Sequence, residues 1–306
     1  MDAASDSTQT LRRPAPWVAT TCVGLLCLVW GSTWVVIREG LDDLPPLTSA
    51  AARFSLAGAA MVVLTRALRA REGGGDPPRW LWLCLGGLNF ALSYGIVYVT
   101  ETVLNSGLVS VLWGVFPMMM AAIGHWYLPG ERVRARQALG FLIGFAGLVV
   151  LFLTDVRSFG PRAVPAALLL MLSPLVSAIG TALVKRHGAS SSSLALNRNS
   201  MLFGALLLVA AALVLEHDSP ARWSAAAVGS VAYLALVGTV TTFGLYFWLL
   251  RTTDANRLGL IAYVTPAVAL TLGSLVRQEP LYASTLAGSG LILAGVVLVV
   301  RGKLRR

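Results

Sequence analysis

Residues 17–37 read WVATTCVGLLCLVWGSTWVVI, twenty-one positions without a single formal charge. A helix needs roughly 20 apolar residues, each rising 1.5 Å, to cross about 30 Å of hydrocarbon, and this run meets that length. Arg12 and Arg13 precede it, as basic residues precede a secretory signal. The run is nevertheless too long for a signal h-region, and no small-residue cleavage site separates it from the next apolar stretch. It is therefore read as a first membrane span, preceded by a polar, disordered tail over residues 1–14.

Nine further stretches share the pattern, at approximately 47–68, 80–99, 104–127, 137–154, 163–184, 195–215, 224–249, 256–276 and 281–300. The composition agrees: 56% of the 306 residues are hydrophobic and only 12% charged, where an ordinary soluble domain carries about 25% charged residues. A soluble enzyme is excluded on that ground. The short alternating strands of an outer-membrane barrel are absent, which leaves an all-α bundle of ten spans.

The net charge of +10 could suggest nucleic acid, but the bases lie between apolar runs instead of on a soluble, aromatic-interleaved surface. With ten spans, Arg12, Arg13, Arg66, Arg69, Arg71, Arg79, Arg132, Arg134, Arg136, Lys185, Arg186, Arg251, Arg257, Arg301, Lys303, Arg305 and Arg306, 17 bases, share one side with both termini. Only 5, namely Arg38, Arg157, Arg162, Arg222 and Arg277, fall on the other. The positive-inside rule then puts both termini in the cytoplasm. Partners are thus the bilayer and a small molecule; oligomeric state is open, with a monomer sufficient. Cys22, Cys27 and Cys84 lack metal or redox spacing and read as small packing residues.

The two halves repeat. A shift of 149 sets Tyr94-Gly95 on Phe243-Gly244, Asn105 on Asp254 and Pro117 on Pro266, and a shift of 148 sets Glu131 on Glu279, Gly140 on Gly288 and Gly147 on Gly295. Gly31 falls on Gly180, and Arg53 on Arg198. Five helices per unit make the copies inverted: a first repeat over 15–154, a second over 155–301, and a basic tail over 302–306. Inverted repeats give inward-open and outward-open packings of similar energy, which is the requirement of alternating access.

The run Trp30-Gly31-Ser32-Thr33-Trp34-Val35, and the run from Glu101 through Ser106-Gly107 to Pro117 and Gly130-Glu131, resemble the signatures of EamA-type transporters of the drug/metabolite transporter superfamily. The second half resembles them again through Asp254, Pro266, Glu279 and the Gly288–Gly295 helix, so the likeness covers about residues 15–301. It implies a 5+5 inverted-repeat fold with a central cavity lined by spans 1, 3, 4, 6, 8 and 9, and substrates among amino acids, sugars, nucleotide-related metabolites, polyamines or drugs.

Candidate lining residues follow from helical spacing. Trp30 and Trp34, four apart, share a face with Thr33 nearby, and compete with the reading of an interfacial aromatic belt. Asn89, Ser93, Tyr94, Tyr98 and Glu101 form a polar stripe on span 3, which in lipid must face other helices or a cavity. Thr239, Thr241, Thr242, Tyr246 and Trp248 do the same on span 8. Trp113 and Tyr263 lie about one turn before Pro117 and Pro266, the expected kinks of a gate, in helices that also carry Asn105 and Asn256. Glu101 is the candidate sensor of substrate amino groups or protons, with a solvated carboxylate at the span end as the competing reading. No carboxylate is expected at the membrane centre. Arg53 and Arg198, at matching positions, are expected to snorkel or to pair with an acidic loop residue, with anion binding as the alternative, and Glu131 and Glu279 to pair with loop bases. His125 reads as a packing histidine. No Walker loop, metal motif, catalytic triad or cofactor-binding motif appears. The expected function is export of amino acids, aromatic or hydrophobic ones favoured, or of drug-like amphiphiles, with another metabolite class, a membrane enzyme or a scaffold as alternatives.

Overall fold

In the computed structural model the described residues are 15–72, 74–129, 131–151, 153, 160–243, 245–246, 249 and 261–303. The expected tail over 1–14 and the C-terminal residues 304–306 lie outside them, as do Trp248, Asp254 and Asn256. Helices account for every extended element: α1 (Pro16–Gly40), α2 (Pro46–Glu72), α3 (Arg79–Leu85), a π-helical stretch π1 (Gly86–Ser93), α4 (Tyr94–Glu101), α5 (Ser106–Trp113), α6 (Phe116–Tyr127), α7 (Ala135–Leu151), α8 (Ala163–His187), α9 (Ser193–Leu215), α10 (Ala225–Ala232), a second π-helical stretch π2 (Tyr233–Thr241), α11 (Ile261–Arg277) and α12 (Ala283–Lys303). Among the described residues six helical stretches are long and apolar enough to cross a membrane, the third running from Arg79 to Glu101 through π1 and the fourth from Ser106 to Tyr127 over α5 and α6. Four shorter apolar helices, Ala135–Leu151, Ala225–Thr241, Val264–Arg277 and Ala283–Val299, accompany them.

The distribution of side-chain size over these helices is the reverse of a soluble protein's. Helix α7 buries Gly140, Gly144 and Gly147 while Leu142 and Phe145 are exposed. In α9, Ala195, Gly204, Ala205 and Ala212 are buried and Leu206 and Leu213 are exposed. Small residues inside and large apolar ones outside suit a hydrocarbon solvent, where helices associate by close backbone packing and not by hiding leucine.

The tightest crossing joins α7 to α12. A Cβ on Gly140 would sit 2.6 Å from the Gly295 carbonyl, and one on Gly147 would sit 2.6 Å from the Gly288 carbonyl. The order reverses along the two helices, so they run antiparallel, and the four glycines let backbone meet backbone. One end of the bundle is tied by contacts among the loops α1–α2, α4–α5, α9–α10 and α11–α12. The other is tied by Gly75 hydrogen-bonded to Ser190, by Lys185 paired with Glu131, and by Arg186 donating to the Tyr127 carbonyl.

One expectation about backbone shape is corrected. The fourth apolar stretch is not a continuous kinked helix: α5 ends at Trp113, and Pro117 sits in the first turn of α6. There its missing N–H interrupts nothing, since the first-turn donors of any helix lack intrahelical partners. Pro266, by contrast, lies inside α11. Asn105 is the N-cap of α5, its side chain accepting from Leu108 N at 2.9 Å.

Replacing Gly147 by Val should strain the α7–α12 crossing by about 1–3 kcal/mol, the usual cost of overpacking. Gly290→Ala, whose Cβ would meet nothing within 4 Å, should leave the melting temperature in detergent unchanged. Equal melting temperatures for the two variants would refute the close-approach argument.

Candidate functional site

Both π-helical stretches fall at corresponding places, the middle of the third and of the eighth apolar stretch, and each opens the helix where polar side chains point inward. Widened turns of this kind free carbonyl groups and recur at functional sites. In π2, the buried Thr239 Oγ1 donates to the carbonyl of Leu234 at 2.8 Å, while Thr241, whose Oγ1 donates to that of Leu236 at 2.8 Å, is exposed and not part of an inward stripe. The sequence carried no proline or motif that marks either stretch, apart from Gly86-Gly87.

Around π1 the stripe residues assemble a hydroxyl cluster with α5 and α8. Ser93 Oγ lies 2.8 Å from Ser173 Oγ, Ser177 Oγ donates to Ser93 at 2.9 Å, and the Trp113 indole donates to Ser173 at 3.0 Å. Asn89 donates to the Ser177 carbonyl at 3.2 Å and more weakly to Thr181, while its Oδ1 has no partner among the described residues and rests on Gly180. Ser173 and Ser177 were not singled out by sequence, although their spacing of four on an otherwise apolar helix was a signal. Trp34 packs on Trp113 with ring centroids 6.1 Å apart, and its buried indole N–H has no partner among the described residues.

Trp30 faces a different neighbour. Its indole donates to Thr242 Oγ1 at 3.0 Å and its ring lies 5.6 Å from Tyr246 and 6.3 Å from Phe243. These contacts take Trp30 out of an interfacial belt. Thr33 donates back to the Trp30 carbonyl at 2.7 Å and packs on Gly238. Tyr263 belongs to α11, with a side chain outside the described ones.

A third group lies between α2, α4 and π2, and corrects two expectations. Arg53 does not snorkel or find an acidic loop residue: it is 2% exposed, and its guanidinium donates to Thr239 Oγ1 at 3.2 and 3.3 Å and to Tyr98 OH at 3.4 Å. Tyr94 and Phe54 lie against its faces, 4.9 and 5.2 Å from ring centroid to Cζ. Glu101, one turn beyond Tyr98, is not a solvated carboxylate either: it is 0% exposed, and neither of its oxygens has a hydrogen-bond partner among the described residues. Arg38 reaches the Glu101 main-chain carbonyl, not its carboxylate. Helices α1, α2 and α5 pack against α4 and bury the carboxylate, a tertiary effect that its place at a helix terminus conceals.

The remaining carboxylates work at helix starts and loop junctions. Glu279 does not pair with a loop base; it accepts from Ser106 N at 2.9 Å, Ser106 Oγ at 2.8 Å and Gly107 N at 3.0 Å, capping α5 where the helix dipole favours an anion. Glu216 does the same for α2 through Leu47 N, Thr48 N and Thr48 Oγ1 at 2.7–2.8 Å. Glu131 follows expectation by pairing with Lys185. His125 accepts from Val133 N at 3.0 Å, as a packing histidine does. Arg277 bridges Glu39 at 2.9 Å and Asp42, beside a crevice of about 460 Å³ lined by Val35, Val36, Glu39, Val276, Arg277 and Gln278. Among the described residues no cluster of three or more His, Cys, Asp or Glu could hold a metal ion.

A bundle of long apolar helices with large side chains turned outward and polar side chains gathered inward is a multi-pass membrane protein. Comparison with known proteins agrees: the profile of the EamA-like transporter family matches residues 18–153 and again residues 164–301. The chain therefore belongs to the EamA-like transporter family, within the drug/metabolite transporter superfamily, and resides in the cell membrane. It is 29% identical over 282 residues to the inner membrane transporter YedA of Escherichia coli, covering 91% of this chain and 89% of that one. It is 26% identical to the transporter YvbV of Bacillus subtilis, with 90% of each covered, and 25% identical to protein PecM of Dickeya dadantii, with 89% and 88% covered. A crystal structure 19% identical in sequence superimposes with a TM-score of 0.66 over 95% of this chain and all of that one, a likeness of fold.

Asp43 gives the site region a pH signature. Hydrogen bonding from Ser224, then from Arg222, holds its carboxyl below the usual range against opposing desolvation. A carboxyl lowered in the folded state stabilises above its unfolded value near 3.9 and loses that contribution as pH falls through the folded value. Asp43→Asn should therefore lower detergent stability at pH 7, with the difference from wild type shrinking as pH falls below the unfolded value near 3.9 and lost once it has passed the folded value. A difference that persists undiminished at the acid end would contradict this.

Proposed function

We propose that the chain is an alternating-access exporter of small metabolites, built of ten spans in a 5+5 inverted repeat with both termini cytoplasmic, its repeats covering 15–154 and 155–301. One observation carries the architecture. Gly140 meets Gly295 and Gly147 meets Gly288, while Gly140 corresponds to Gly288 and Gly147 to Gly295 in the internal alignment. Gly140 thus meets the counterpart of Gly147, and Gly147 the counterpart of Gly140, which is what a twofold axis through an antiparallel crossing requires. Two π-helical stretches at corresponding places and two successive family matches support the same reading.

Loop contacts are consistent with ten crossings. The loops after the first, third, seventh and ninth stretches meet at one end, where Asp43 binds Arg222, Arg277 binds Glu39, and Glu279 caps α5. Those after the second, fourth and sixth meet at the other. The bias of 17 bases against 5 assigns the second end to the cytoplasm.

For substrate, the reading is an amino acid, aromatic or hydrophobic side chains favoured, with drug-like amphiphiles as a second class. Trp30, Trp34, Tyr94, Trp113 and Tyr246 supply aromatic faces, and the hydroxyls of Thr33, Ser93 and Tyr98, with the Asn89 amide, supply hydrogen bonding, the mixture that binds an apolar ring and a polar head. Tyr263 is placed with them by the internal repeat. Pro266 is the hinge candidate inside α11, and Pro117 marks the α5–α6 junction as the corresponding break. Proteoliposomes containing the pure protein should take up labelled phenylalanine or tryptophan; flux of a sugar or nucleotide with none of any amino acid would overturn the substrate reading, and turnover without flux would favour an enzyme.

The Arg277 bridge to Glu39 and Asp42 latches α11 to α1 across the outer crevice. In a chain whose three native cysteines are replaced, a cysteine introduced at Val35 should react with an impermeant thiol reagent several-fold faster once Arg277 is changed to Ala. An unchanged rate would show that the bridge does not hold that face closed.

A further inference from the structure

Two buried charges in the third group have no direct ion pair among the described residues: Arg38 and Glu279 act on Glu101, and Arg53 and Glu101 on each other, only from beyond bonding distance. Arg53 has only neutral oxygens within hydrogen-bonding distance, at 3.2–3.4 Å, near the long limit for such bonds. Glu101 has no hydrogen-bond partner for either oxygen among the described residues. Both side chains are sealed from solvent, at 2% and 0% exposure. They do not pair with each other, since no Arg53 nitrogen comes within ion-pair distance of the carboxylate among the described contacts. An isolated ion in such a place is costly, and the structure holds one of each sign.

Their arrangement is directional. Tyr94, Tyr98 and Glu101 follow each other at spacings of four and three on α4, so one helix face carries the ring under Arg53, the hydroxyl that Arg53 reaches, and the carboxylate. Tyr98 thus stands between the cation and the anion, with Glu101 about 4.5 Å further along the helix axis. Tyr94 and Phe54 occupy the faces of the guanidinium, so its donor edge is the part left for an acceptor. That edge prefers a carboxylate, which it can bind in a two-bonded fork, over the hydroxyls it now touches.

We propose that Arg53 and Glu101 are the charge-reading pair of a zwitterion site: Arg53, backed by Thr239 and Tyr98, takes the carboxylate of an amino-acid substrate, and Glu101 takes its ammonium. This rests on the amino-acid reading above and deepens it. A molecule carrying both charges on one carbon satisfies both orphans at once, whereas a proton on Glu101 would neutralise only one. Thr239 belongs to π2, and Thr242 one turn on holds Trp30, so the head-group site adjoins the aromatic residues that would receive the side chain. An amine lacking the carboxylate leaves Arg53 unanswered, and an acid lacking the amine leaves Glu101 so.

The test compares thermal shifts of the detergent-purified full chain with L-phenylalanine, phenethylamine and 3-phenylpropionate, and in parallel with L-leucine, isoamylamine and 4-methylpentanoate. For the wild type, the zwitterion of at least one series should raise the melting temperature at concentrations about tenfold below those of either singly charged analogue. Arg53→Gln should erase the advantage over the amine, and Glu101→Gln the advantage over the acid. Tyr98→Phe and Thr239→Val, which remove only the backing hydroxyls, should weaken the zwitterion and the acid and leave the amine unchanged. The wild-type ranking needs no variant to fold. If the amine or acid matches the amino acid in the wild type, or Arg53→Gln keeps the tenfold preference, the zwitterion site is wrong while amino-acid flux into proteoliposomes can still stand. If leucine ranks as expected and phenylalanine does not bind, the aromatic preference falls and the site survives. If no amino acid binds or is carried, both fall together.

Discussion

Hydrocarbon offers no hydrogen bond, and nearly every feature of this molecule answers to that. Backbone groups are closed within helices, helix starts are capped from distant loops, and polar side chains are turned toward one another. Glu279 and Glu216 show how far the constraint reaches: each carboxylate comes from another part of the chain to satisfy the first-turn amides of α5 and α2. In water those amides could be left to solvent. Here the caps also join loops, so the solution of a local problem fixes which loops meet.

The same solvent sets how helices pack. Since leucine gains little by moving from lipid to a helix interface, association depends on backbone approach, and Gly140, Gly147, Gly288 and Gly295 provide it at the α7–α12 crossing. A firmly joined pair on one side leaves the other helices to carry movement. The π-helical stretches, the break between α5 and α6 and the proline in α11 all lie among those other helices. The division between a fixed pair and a deformable set fits a carrier that must present two arrangements of one site.

Arg53 and Glu101 are the charged members of the buried groups that the bundle leaves weakly bonded or unbonded, beside neutral ones such as the Trp34 indole and Asn89 Oδ1. Ground-state cost of this kind is retained where a ligand removes it.

The all-helical class, the apolar stretches, the family and the internal correspondence of glycines were legible in the sequence, because span length and helical period depend only on local composition and a solvent of known thickness. The stripe Asn89, Ser93, Tyr94, Tyr98 and Glu101 was legible for the same reason. What the sequence left open was decided by neighbours distant in the chain. Pro117 lies in the first turn of α6, two turn residues after α5 ends at Trp113, instead of inside one kinked helix. Glu101 is buried because α1, α2 and α5 pack against α4, and Arg53 stays at depth because Thr239 and Tyr98 accept from it while Tyr94 and Phe54 cover its faces. Periodicity tells which side chains share a face of one helix; burial and charge pairing depend on what the other helices bring to that face, and that is a property of the packed bundle alone.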